Sequence, residues 1–102
     1  MLKHIVLLDP KDAAAMDAIA EAMDILATLP GKIDGVLEFS HGPNRDFEGK
    51  SARYPYGFVL TFADKAANDA YAADPDHQRA GALLVASCKG GADGIFVADL
   101  EV

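Results

Sequence analysis

The chain has 102 residues, enough for one domain and too few for two, so residues 1–102 are read as a single domain. Half are apolar (51%) and a quarter charged (25%), a balance that supports a hydrophobic core and argues against a disordered chain. Against 16 acidic residues stand 9 basic ones, and the net charge of −7 disfavours nucleic acid and anionic lipid as partners, because both need clustered Lys and Arg.

The opening run from Met1 to Leu8 is much shorter than a signal-peptide core with its cleavage site, and Asp9-Pro10 ends it. It reads as a strand from about Lys3 to Leu8, with Leu2, Val6 and Leu8 alternating against Ile5 and Leu7, so both faces need cover. No segment approaches the roughly 20 apolar residues of a membrane span, and a cytoplasmic location is expected. His4, inside this strand, must find a partner: it either lines a pocket or is a hydrogen-bonded core histidine.

Beyond the break Asp12 is placed to cap a helix in which Met16, Ile19, Ala20, Met23, Leu26 and Ala27 recur at helical spacing until Pro30-Gly31. Gly35 introduces a strand over Val36 to His41 with Leu37, Phe39 and His41 on one side, closed by Gly42-Pro43. From Asn44 to Pro55 the composition is that of a long surface loop, flanked by His41 and Arg53, which are expected to be solvated. Gly57 to Phe62, β-branched and aromatic, is the clearest strand, and Asp64 caps a helix carrying Ala67, Ala70 and Tyr71.

The next stretch, Tyr71-Ala72-Ala73-Asp74-Pro75-Asp76-His77, sets a phenol and an imidazole around one helix-breaking proline. One helix is predicted to stop near Asp74 and another to start at Pro75. The bend either frames a small pocket where His77 and Tyr71 move protons together, or holds a packing aromatic beside a first-turn histidine. Asp74 and Asp76 add negative charge that would raise the pKa of His77; alternatively Asp74 is an N-cap and Asp76 a solvated acid. From Asp76 to Cys88 a third helical segment puts His77, Ala80, Gly81, Leu84 and Cys88 on one stripe. Cys88 has neither CxxC nor Cys/His ligand spacing and reads as a buried structural thiol. Gly90-Gly91 ends the helix, and Ile95 to Leu100 forms the last strand.

The order strand, helix, strand, strand, helix pair, strand predicts an α+β, ferredoxin-like βαββαβ fold with an antiparallel sheet and its helices on one face. The other face is left bare, which predicts a homodimer closing sheet against sheet, with interface residues drawn from Val6, Leu8, Phe39, Val59, Phe96 and Leu100. A Gly-rich phosphate loop, a serine nucleophile elbow and a His-x-x-x-His helix are all absent from the sequence, so nucleotide and zinc chemistry find no support and neither metal nor cofactor is expected.

Four segments in order, Lys3-His4-Ile5-Val6-Leu7, Pro30-Gly31-Lys32-Ile33-Asp34-Gly35-Val36, Gly57-Phe58-Val59-Leu60-Thr61-Phe62-Ala63-Asp64 and Ala70-Tyr71-Ala72-Ala73-Asp74-Pro75-Asp76-His77-Gln78, resemble the stress-responsive α/β-barrel (Dabb) domain family over nearly the whole chain. The resemblance implies a dimeric α+β barrel. The family's usual His-Pro-x-His reads Asp74-Pro75-Asp76-His77 here, and the histidine usual before the third strand is Tyr56. In a plant polyketide cyclase similar to this family, the histidine matching His77 is a general base and the tyrosine matching Tyr71 orients or polarises the substrate.

The functional expectation is therefore a small pocket for an apolar or aromatic carbonyl compound, worked by His77 and Tyr71 as a polyketide-cyclase-like lyase or isomerase, with His4, Tyr56 and Phe58 contacting the substrate. One alternative is a non-catalytic, stress-associated dimeric domain that binds a small apolar ligand or is purely structural. Another is a monooxygenase-like enzyme, poor in cofactor or with a bound flavin or haem, since related dimeric barrels include monooxygenases acting on aromatic compounds.

Overall fold

A computed structural model describes residues 1–102 as β1 (Leu2–Leu8), α1 (Ala15–Leu26), β2 (Val36–Pro43), β3 (Tyr56–Phe62), α2 (Lys65–Ala73), α3 (Pro75–Ser87), a 3-10 turn (Gly91–Gly94) and β4 (Ile95–Glu101). The strands form one four-stranded sheet in the order β2-β3-β1-β4, with every neighbouring pair antiparallel. This is the ferredoxin-like arrangement, its second helix broken at Pro75.

Register decides which side chains share a face. Val6 pairs with Phe58 and Val97, and Leu8 with Tyr56 and Ile95, while Phe39 and Val36 of β2 stand opposite Leu60 and Phe62. These residues face the helices, where Ile19, Met23 and Leu26 of α1 and Ala80 and Leu84 of α3 close the core over them. Phe62, Leu60 and Leu8 are fully buried.

Several sequence expectations are corrected by this register. Val6, Leu8 and Phe39 do not belong to the bare face: Val6 and Leu8 are 3% and 0% exposed beneath the helices, and Phe39 packs against the same core. Leu37 does not share a side with Phe39, because a bulge between Val36 and Glu38 shifts the alternation, burying Val36 and leaving Leu37 exposed. On α1 the buried stripe takes in Ala15, Ala22 and Ile25, whereas Ala20 and Ala27 face out. Ala70 of α2 is likewise exposed. Cys88 lies just past α3, extended and bridged to Pro10, and burial pushes its thiol up from its ordinary pKa.

The opposite sheet face carries Ile5, Leu7, Val59, Ala98, Phe96 and Leu100, and its last two are 46% and 52% exposed. Helix α2 approaches the chain entering β2 so closely that a Cβ on Gly35 would lie 2.6 Å from that of Ala67, and Gly35 also has a φ of +83°. No helix is long and apolar enough to cross a membrane.

Candidate active site

Pro75 cannot continue α2, and Asp74 at the junction is extended, with φ −70° and ψ 132°. Its carboxylate accepts hydrogen bonds from the backbone N–H groups of Asp76 (2.9 Å) and His77 (3.2 Å), so one side chain caps α3 and fixes where His77 leaves the helix. Asp76 is not a solvated acid: it pairs with Lys32 and with Arg79, and these cations hold its carboxyl below the ordinary range. Asp74→Ala is expected to cost about 1 kcal/mol of stability through loss of the cap, to be checked by urea unfolding.

The bend brings Tyr71 and His77 into contact, with ring centroids 3.9 Å apart. Tyr71 also packs against Phe62 at 5.1 Å and against His4 at 5.6 Å. The His4, Tyr71 and His77 rings border a cavity of about 170 Å³ between α3 and the β1-β3-β4 part of the sheet. His4, Tyr71 and His77 supply its polar groups, and Val6, Leu26, Phe58, Leu84, Ile95 and Val97 among others its apolar wall. Val85 and Val97, 44% and 49% exposed, stand at its edge.

The three polar residues are electrostatically distinct. Burial drives the Tyr71 phenol far above its ordinary pKa, so it stays a neutral O–H donor throughout the physiological range. Burial lowers the pKa of His77, helped by the nearby His4, while the Ala72 and Tyr71 carbonyls and the Asp74 carboxylate pull less strongly the other way. The expected upward shift from the acidic neighbours is thus overturned: desolvation outweighs Asp74, and Asp76 is engaged by Lys32 and Arg79. Nδ1 of His77 is buried without a hydrogen-bond partner. His4 Nδ1 lies 2.6 Å from a carboxylate oxygen of Asp99. Since a carboxylate accepts, the Nδ1–H of His4 donates to it.

Of the residues singled out in the sequence, His4, Phe58, Tyr71 and His77 border this cavity. Tyr56 does not: it sits two residues along β3, and its hydroxyl meets Nδ1 of exposed His41 at 2.5 Å. Arg53 is exposed, as expected, and also donates to Asp9 at 2.9 Å and to Asp93 at 3.2 Å, pinning the long loop to the end of the sheet. Asp99 was not singled out, because its partner His4 is 95 residues away in sequence and only the β1-β4 register reveals the pair.

Fold and site together define a small ferredoxin-like domain with an apolar, imidazole-bearing cavity under its helices. The chain belongs to the stress responsive A/B barrel domain (Dabb) family, whose profile matches residues 2–102. It is similar to a dimeric ferredoxin-like protein of unknown function from Jannaschia sp. CCS1, with 64% identity, TM-score 0.96 and coverage of 99% of this chain and 98% of that one. An Arabidopsis thaliana protein is 26% identical, with TM-score 0.81 and coverage of 100% and 95%. A hydroxynitrile lyase from Passiflora edulis is 14% identical, with TM-score 0.79 and coverage of 99% and 92%, a likeness of fold alone. No curated protein matches the chain.

Proposed function

We propose that the cavity binds a small, largely apolar carbonyl compound and moves a proton at the carbon beside the carbonyl, in the manner of a cyclase or isomerase. The observation that carries this reading is the contact of the His77 and Tyr71 rings, 3.9 Å between centroids, where both residues line an apolar cavity. His77, kept neutral by burial, is the base; the Tyr71 hydroxyl, kept protonated, donates to the carbonyl oxygen as charge gathers there. His4, held by Asp99, positions the polar end of the substrate. A cavity of 170 Å³ limits the ligand to about one six-membered ring with a small substituent, since an engineered apolar cavity of roughly 150 Å³ holds benzene.

The exchange of α-protons of aryl methyl ketones for deuterium, followed by NMR in D₂O, tests the reading without knowledge of the product. Catalysed exchange is expected in the wild type, with a loss on the order of 10²-fold in Asp99→Asn as His4 loses its orienting partner. Ketones that bind without any exchange above buffer would leave a non-catalytic binding domain, a role that the Tyr71–His77 stack also suits.

The partner reading is a homodimer through the helix-free sheet face. Its support is the exposed apolar row ending in Phe96 and Leu100, together with the dimeric description of the 64% identical protein.

A further inference from the structure

One row of cross-strand partners on the helix-free face is strongly asymmetric in size. Across the sheet it reads Gly42, Gly57, Leu7, Phe96, two positions without side chains followed by two large ones. Leu7 leans over Gly57, its Cδ2 2.8 Å from where a Cβ would stand, whereas a Cβ on Gly42 would meet nothing within 4 Å. The result is a hollow of about 290 Å³ floored by the glycines and flanked by Ile5, Leu7, Ser40 and Val59, while Phe96 stands 46% exposed at the far end of the row.

An isologous interface must be complementary to itself, and face-to-face sheets pack with their strands roughly aligned. A two-fold axis parallel to the strands, passing between β3 and β1, lays β2 over the partner's β4 and reverses the row. Gly42 then faces the partner's Phe96, and Gly57 the partner's Leu7. In the next row Val59 faces the partner's Ile5. A two-fold axis perpendicular to the strands would instead set the glycines over Glu38 and Thr61 of the partner and Leu7 on the level of its Lys3, leaving the hollow unfilled.

We propose that Phe96 of each subunit inserts into the Gly42–Gly57 hollow of the other, and that this reciprocal knob sets the register of the homodimer. This inference rests on the homodimer reading above. An aromatic ring laid over an edge-strand glycine restores the packing that the missing side chain forfeits. The contact also bears on the site, because β4 is an edge strand whose other face carries Ile95 and Val97 of the cavity wall and the Asp99 that holds His4.

The test is light scattering over a dilution series with the wild type, Gly42→Leu, Phe96→Ala and the double variant. Gly42→Leu fills the hollow and has room in its own subunit, so it is expected to raise the dimer dissociation constant on the order of a hundredfold. Phe96→Ala is expected to weaken the dimer to a similar extent. The double variant, which exchanges large for small on both sides, is expected to regain much of the affinity. Dimers of Gly42→Leu as tight as the wild type, or a double variant no tighter than Gly42→Leu, would overturn the register while leaving a homodimer standing. A monomeric wild type would overturn the homodimer as well. If Gly42→Leu fails to fold, Phe96→Ala decides: a dimer weakened on the order of a hundredfold supports the knob, and one as tight as the wild type overturns it.

Discussion

Phe62→Ala is expected to lower the unfolding free energy by about 3–5 kcal/mol, the usual cost of emptying a fully buried aromatic site. Phe62 is 0% exposed, pairs with Leu2 on one side and Val36 on the other, and packs its ring on Tyr71 and His4. Its removal takes away apolar burial and also the support beneath two of the three polar residues of the cavity. Against a typical total of about 5–15 kcal/mol, such a loss brings the fold near its threshold. Denaturant unfolding at one fixed protein concentration checks it, since dimerisation makes stability concentration-dependent. Phe47→Ala is the control, because that ring is 94% exposed at the tip of the long loop and should change stability by no more than about 0.5 kcal/mol. Equal effects at the two positions would contradict the packing described.

The fold was legible where periodicity and breakers agree. Alternation in Leu2–Leu8 and Gly57–Phe62, Pro30-Gly31 after the first helix, and Asp74-Pro75 between the last two leave little freedom in element order. Alternation shows that a strand has two faces but not which one the helices cover, so Val6 and Leu8 could be placed on the wrong side while Val59, Phe96 and Leu100 of the same list lie on the open one. The bulge between Val36 and Glu38 is a second blind spot, because one added residue reverses the alternation and Gly35 just before it reads equally well as a simple strand start.

The candidate site divides in the same way. Tyr71 and His77 are close in sequence across a rigid junction, and local chain geometry brings their rings together. Tyr56 was drawn into the expected site by its nearness to Phe58 along β3, yet two residues is about 6–7 Å in a strand, enough to carry it past the cavity. The direction of the His77 shift was missed because charge is written in the sequence and desolvation is not: Asp74 and Asp76 are visible there, but the half-burial of the ring and the capture of Asp76 by Lys32 arise from packing between distant segments.

His77→Gln is expected to reduce α-proton exchange by about 10²–10⁴-fold, the range typical of removing a general base. Gln keeps a polar group of similar reach but cannot accept a full proton. The backbone N–H at position 77 still bonds to Asp74, so the cap and the start of α3 should survive. Stability against pH supplies a second readout. The folded pKa of His77 lies below its unfolded value of 6.5, chiefly through burial, so between those two values the unfolded chain binds the proton more readily. Stability should therefore fall as pH drops through 6.5 toward the folded pKa and level off with respect to this group below it. The wild type minus His77→Gln difference isolates that slope from the groups that the two proteins share. A lost slope with intact exchange would leave His77 buried but idle and shift the proton transfer to His4, the other imidazole lining the cavity. Loss of both together is the outcome that the geometry around Tyr71 leads us to expect.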